Sequence, residues 1–290
     1  MFQGAFTALV TPFRKDGAID EESLRRLVNF QIDEGIAGIV PMGTTGESPT
    51  VSHDENIDVI RIVVEETRGR VPVIAGTGSN STSEAVDMTR RAKEIGADAT
   101  LQVAPYYNKP NQEGLYQHFT KVADEGGLPV IVYNIPGRTG RNIDTSTIIR
   151  LAEHPGIQAV KEAAGSLPQF MDTIAGVPDD FDVLSGDDNF ALPVTLMGAR
   201  GVISVASNLL PGRMQRLIEA GIEGRTEEAV TEHYRLLPFF RALFIDTNPI
   251  PIKYAMARAG HLTESYRLPL TPLSPELRKQ VDAVLSDLGI

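Results

Sequence analysis

The sequence predicts an α/β fold: a (β/α)8 TIM barrel over residues 1–224, with a C-terminal helical extension over residues 225–290. Three observations predict it. Eight short apolar, β-branched runs recur at intervals of about 25 to 35 residues. Each run is nearly continuous in apolar character rather than alternating, as parallel strands covered on both faces require. Helix-length amphipathic segments lie between the runs, so strand and helix alternate eight times. A doubly wound open sheet gives a similar linear pattern, but the first strand-to-helix junction lacks the GxGxxG that such sheets often carry.

In chain order the strand runs are AFTALV from Ala5, GIAGIV from Gly35, VPVIAG from Val71 and DATLQVA from Asp98. PVIVYNI from Pro129, IQAVKEAAG from Ile157, FDVLSG from Phe181 and GVISVAS from Gly201 complete the eight. Helix starts are marked by three candidate capping boxes, Ser52 with Glu55, Ser81 with Glu84, and Ser166 with Gln169. From Arg225 the chain reads as helical, with proline-marked breaks at NPIPIKY and LPLTPLSP. No low-complexity linker separates barrel from extension.

Composition narrows the function. At 290 residues and 42% hydrophobic, the chain can bury a large core. Its net charge of -11, with no Lys/Arg-rich block, makes nucleic acid and anionic membrane poor partners. There is no cysteine, which excludes disulfides, a thiolate nucleophile and cysteine metal sites. The five histidines are scattered singly, and Asp187-Asp188 has no third ligand at suitable spacing, so no metal site is expected. The N-terminus MFQGAFTALVTPF lacks the basic and apolar regions of a secretory signal, and a cytoplasmic location is expected.

In a barrel of this kind the active site lies at the C-terminal strand ends. Four of these junctions are chemically rich: GTTGESP, YNIPGRTG, VKEAAG and SGDD. Lys161 lies in an apolar strand, where it either snorkels to the rim, pairs with Glu162, or sits desolvated inside. Only the last makes its amine neutral and nucleophilic near pH 7. Tyr133 is either a core tyrosine or a proton carrier beside that lysine. Arg138 is either a solvated loop arginine or a fork for a carboxylate. Thr44-Thr45-Gly46-Glu47 reads as a loop with amides and hydroxyls free for an anion, because Ser52 offers a better helix start. Tyr106 and Tyr107, adjacent aromatics in a polar loop, point to an interface or a lid.

These segments resemble a known family. GTTGES at 43–48, APYYN at 104–108, YNIPGRTG at 133–140, VKEAAG at 160–165, LSGDD at 184–188, GVISV at 201–205 and NPIPIKYA at 248–255 resemble the pyruvate-dependent lyases. That family includes the dihydrodipicolinate synthases and N-acetylneuraminate lyase, and the pairing of Arg138 with Tyr107 favours the synthases. The resemblance implies that Lys161 forms an imine with pyruvate and that the derived enamine adds to L-aspartate 4-semialdehyde, with no metal or organic cofactor. The product, 4-hydroxy-tetrahydrodipicolinate, lies on the diaminopimelate route to L-lysine. It further implies a proton relay of Tyr133, Thr44 and Tyr107, with Tyr107 reaching into a neighbouring subunit. By the same resemblance, Thr45 and the Thr44 amide would hold the pyruvate carboxylate, Arg138 would orient the semialdehyde carboxylate, and Gly186 and Ile203 would supply backbone contacts. The implied assembly is a homotetramer, a dimer of tight dimers. A sister lyase acting on a keto sugar acid, or a metabolite-binding barrel without chemistry, are the competing readings.

The same resemblance implies allosteric control by L-lysine. Ser48, His53, Asn80, Glu84 and Tyr106 match the regulatory site of lysine-sensitive members, whereas Asn56 stands where they often carry histidine. Asn56 is shorter, and Pro49 stiffens the neighbouring loop, so the expectation is inhibition that is present but weakened.

Overall fold

The structure, a computed structural model, describes residues 2–290. In chain order the first half runs β1 (Gly4–Ala8), α1 (Glu21–Asp33), β2 (Gly38–Val40), α2 (His53–Thr67), β3 (Ile74–Gly76), α3 (Thr82–Ile95), β4 (Ala99–Val103) and α4 (Gln112–Gly126). The second half runs β5 (Val130–Asn134), a short α5 (Pro136–Thr139), α6 (Thr145–Ala152), β6 (Ile157–Glu162), α7 (Leu167–Gly176), β7 (Asp182–Ser185), α8 (Asp188–Thr195), β8 (Gly201–Ser204) and α9 (Pro211–Ile222). α10 (Thr226–Ala242), α11 (Ile250–Arg258) and α12 (Pro275–Asp287) form the C-terminal extension.

The eight strands are parallel in the order β2-β1-β8-β7-β6-β5-β4-β3, and a parallel bridge between Ile39 and Val73 joins the two ends into a barrel. Each of the eight runs read from the sequence coincides with one strand, β1 starting one residue ahead of its run, at Gly4. Alternation along each strand sorts the side chains into two layers. Phe6, Val40, Ile74, Leu101, Ile131, Ala159, Leu184 and Ile203 fill the barrel interior. Val130, Val132, Val160 and Val183 point outward, onto a layer that includes Phe119, Ile148, Leu151 and Phe170 of the covering helices. Both faces are buried, which is why the runs are apolar throughout.

The helices follow the same logic. α1 buries Leu24, Leu27, Val28 and Gln31, one face at helical spacing, and its first turn is capped by Asp20, which accepts from the Ser23 N–H at 3.1 Å. At α2 the expected capping box forms in both directions, between Ser52 and Glu55. The other two boxes are corrected. Glu84 turns away from Ser81 to accept from the Ser79 hydroxyl at 2.7 Å. Ser166 does cap the Gln169 N–H, but the Gln169 amide leaves the box to donate to Glu162 at 3.1 Å. In both cases a side chain just upstream of the cap, five and seven residues away, replaces the box partner.

α10 packs across α8 and α9, and α12 packs on α10 and α11. α11 is buried from Ile250 to Met256. It starts inside the NPIPIKY segment, so the proline-marked break falls before it. Among the described residues, no helix is long and apolar enough to cross a membrane.

Candidate active site

The register of β5 and β6 sets Tyr133 directly beside Lys161, in the inner layer that also holds Ile131 and Ala159. Lys161 is only 6% exposed, and its ammonium lies 4.1 Å from the centroid of the Tyr133 ring. Alternation turns the next residue outward. The carboxylate of Glu162 accepts from Asn134 at 2.9 Å, Gln169 at 3.1 Å and the Ala164 N–H at 2.6 Å. This answers two of the alternatives left by the sequence, since Lys161 neither snorkels nor pairs with its neighbour.

Burial penalises the charged amine and brings the Lys161 pKa down to about 7, with the Arg138 charge acting in the same direction and Asp188 opposing it. The same burial pushes Tyr133 up to about 12, although Arg138 and a hydrogen bond from Thr44 offset part of the rise. A protonated phenol therefore lies against an amine that is half neutral at pH 7. Asp188 is itself buried and raised to about 6 by desolvation. Its Oδ2 accepts from the Val205 and Ala206 N–H groups at 3.1 and 2.9 Å, and these bonds together with the Ser204 hydroxyl offset part of the rise. The sequence reading weighed Asp188 only as a metal ligand, but the structure makes it the carboxylate that acts on the lysine.

Gly186 follows β7 and donates its N–H to the Glu162 carbonyl at 2.7 Å. A Cβ there would stand 2.8 Å from the Ala163 Cβ and 3.0 Å from the Lys161 Cε, so glycine leaves the space the lysine occupies. Ile203 of β8 is fully buried in the barrel interior.

The loop after β2 is folded tightly on itself. Gly46 and Ser48 donate to the Gly43 carbonyl, Glu47 donates to the Thr44 carbonyl at 3.1 Å, and Glu47 adopts a left-handed φ of 57°. The expectation of a wholly free anion loop is thereby narrowed. Among the described residues, only the Thr44 and Thr45 N–H groups of TTGE donate to no protein group. Arg138, at the rim on α5, donates to the Asn248 carbonyl at 3.1 Å. Asn248 also donates to the Thr45 hydroxyl at 3.0 Å.

A cavity of about 440 Å³ opens at this rim. Thr44, Tyr133 and Arg138 line one part, and Ser48, His53, Asn56, Glu84 and Tyr106 line another, so two sets of candidate residues share one cleft. Asn56 is 8% exposed, its amide nitrogen faces the Gly76 carbonyl at 3.4 Å, and its Oδ1 has no partner. Asn80 holds the Tyr106 carbonyl at 3.1 Å, and burial together with the Glu84 charge raises the Tyr106 phenol. Tyr107 is not brought into the cleft. It stands 89% exposed with a left-handed φ of 69°.

Sequence reasoning passed over Glu47 and Lys253, a fully buried ion pair between the β2 loop and α11. The available signal was a lysine in the apolar IPIKYAMA segment.

The whole chain has known counterparts. A 4-hydroxy-tetrahydrodipicolinate synthase of Pelobacter propionicus is 52% identical over 290 residues, covering 100% of both chains. The crystal structure of the chloride-inhibited dihydrodipicolinate synthase of Acinetobacter baumannii, complexed with pyruvate, is 43% identical with a TM-score of 0.98 over 100% of each chain. That of the enzyme from Cyanidioschyzon merolae with lysine bound is 42% identical with a TM-score of 0.97, covering 99% of this chain and 98% of that one. The dihydrodipicolinate synthetase family matches residues 1–288. With this full-length match on a barrel that buries a lysine of lowered pKa, the chain belongs to the dihydrodipicolinate synthetase family.

Proposed function

We infer that the chain condenses pyruvate with L-aspartate 4-semialdehyde, the 4-hydroxy-tetrahydrodipicolinate synthase reaction, through a Schiff base on Lys161. The observation that carries this reading is the desolvated Lys161 amine against the Tyr133 ring, at a rim where two threonine N–H groups are unpaired. Binding of pyruvate by the A. baumannii enzyme supports it.

In this reading the Thr44 and Thr45 N–H groups and the Thr45 hydroxyl hold the keto-acid carboxylate. The neutral Nζ of Lys161 forms a C–N bond to the ketone carbon, and the ketone oxygen leaves as water. The iminium then draws electrons from the methyl carbon, whose proton departs through Tyr133 and Thr44, leaving an enamine. The enamine carbon bonds to the aldehyde carbon of the second substrate, and the aldehyde oxygen takes up a proton. Arg138 holds the carboxylate of that substrate, while Gly186 and Ile203 supply backbone contacts. Attack of the substrate's own amine on the imine carbon closes the ring and frees Lys161. Tyr107, strained and exposed, completes the proton relay in the site of a second copy, within a homotetramer of tight dimers in the cytoplasm. The catalytic barrel ends at Gly224 and the extension begins at Arg225, the residue before α10.

L-Lysine acts as feedback inhibitor through Ser48, His53, Asn56, Asn80, Glu84 and Tyr106, and the lysine-bound relative supports this part of the reading. Borohydride reduction with pyruvate tests the chemistry. One adduct per chain is expected, on Lys161, and unchanged labelling of Lys161→Ala would reject the assignment. A coupled assay with the semialdehyde separates this activity from that of a keto-sugar-acid lyase.

A further inference from the structure

Three ties run from residues 248–253 to the rim, two of them onto the loop that carries Thr44 and Thr45 and the third to Arg138 on α5. The side chains of Lys253 and Glu47 are both 0% exposed and hydrogen-bonded to each other. The Lys253 ammonium otherwise meets aromatic faces, 4.4 Å from the Phe13 centroid and 5.3 Å from that of Tyr266. The second Glu47 oxygen accepts from the Arg267 N–H at 3.3 Å. Five residues before Lys253, Asn248 holds the Thr45 hydroxyl with its side chain and Arg138 with its carbonyl.

Stability alone does not account for such a pair, because apolar residues of similar volume usually stabilise a core as well as a buried ion pair does. What the pair does fix is conformation. Glu47 sits at a left-handed φ of 57°, which a non-glycine residue keeps only when its surroundings hold it there. The Glu47 N–H donates to the Thr44 carbonyl at 3.1 Å, and the Thr50 N–H donates to the Glu47 carbonyl at 2.9 Å. The orientation of the Thr44 and Thr45 amides therefore depends on where the Glu47 side chain is pinned.

We propose that Lys253 is a positioning residue of the reaction: together with Asn248 it anchors the GTTGES loop from the C-terminal extension, so that the Thr44 and Thr45 N–H groups converge on the keto-acid carboxylate. The inference rests on reading Lys161 as the Schiff-base lysine. Lys253 touches no substrate; it acts through Glu47.

The test compares four full-length proteins: the wild type, the double variant Glu47→Gln/Lys253→Met, Asn248→Ala, and Tyr254→Phe. The double variant leaves no buried charge unpaired. Tyr254→Phe removes the Tyr254 hydroxyl's bonds to Asp282 on α12 without touching the loop. For each, the pyruvate concentration giving half-maximal borohydride labelling of Lys161 is measured beside the melting temperature. The double variant and Asn248→Ala are expected to raise that concentration by about tenfold, still reaching one adduct per chain at saturation. Tyr254→Phe is expected to lower the melting temperature and leave the pyruvate dependence in place. Wild-type pyruvate dependence in a folded double variant overturns the proposal, as does a shift in Tyr254→Phe equal to that of the double variant. Should the double variant fail to fold, Asn248→Ala decides by the same criterion. Absence of any adduct in the wild type instead overturns the underlying reading of Lys161.

Discussion

At the scale of the residue, Lys161 is held at a cost to the fold. Its pKa is about 7 in the native state against an ordinary lysine value of 10.5. Between those two values the unfolded chain binds more protons than the native one, so this group makes stability rise with pH across that window. Below pH 7 the penalty is fully present, on the order of 5 kcal/mol, and above 10.5 it is gone. Lys161→Met should therefore be inactive yet more stable than the wild type at pH 7. Denaturant titrations at pH 7 and pH 10 check this, and a gain that does not shrink at the higher pH would contradict it. The same shift sets the chemistry. Initial labelling by pyruvate should rise with pH through a midpoint near 7, where an unperturbed lysine would still be almost wholly charged.

At the scale of the element, the strand ends govern what the lysine can do. The turn after β7 brings its backbone so close to β6 that a Cβ on residue 186 would meet Lys161 Cε at 3.0 Å. Gly186→Ala should slow labelling by about tenfold or more, since the amine must swing away from its near-attack position. A variant that labels at the wild-type rate would show that the lysine has room to spare. The opposing wall of the cleft is built by α2 and α3, which carry Asn56 and Glu84. The Asn56 Oδ1 is buried and unpartnered, so it can accept from the ammonium of a bound lysine, though from further back than a longer ring would reach. Asn56→His is expected to strengthen lysine inhibition by about fivefold, corresponding to roughly 1 kcal/mol for one improved hydrogen bond. Titration of lysine against both proteins measures this, and equal sensitivity would remove Asn56 from the regulatory site.

At the scale of the whole molecule, a single chain carries Lys161, Tyr133 and the Thr44-Thr45 loop but leaves Tyr107 pointing into solvent. A tyrosine at 89% exposure and a left-handed φ is poorly placed for a monomer and well placed for a partner's surface. Tyr107→Ala should still fold, lose turnover, and sediment as a smaller species than the wild type, with a lower melting temperature because subunit association no longer adds to stability. Sedimentation velocity with a parallel activity assay tests this. Full turnover by a monomeric Tyr107→Ala variant would exclude the shared-site arrangement.

The sequence by itself determined the barrel, because burial on both faces leaves each strand as a continuous apolar run and periodicity marks the helices between them. It also exposed Lys161, since a charged residue inside such a run stands out against its neighbours. Only the tertiary structure decided which way that lysine faces. The β5–β6 register turns Lys161 inward beside Tyr133 and sends Glu162 outward to Asn134 and Gln169. The reciprocal half of two capping boxes was lost because the turn before each helix brings a competing side chain, Ser79 to Glu84 and Glu162 to Gln169, within reach. The pair between Glu47 and Lys253 spans 206 positions of chain. The apolar segment around Lys253 flags a buried charge but does not name its counterpart, because a buried charge is tolerated only where folding delivers one.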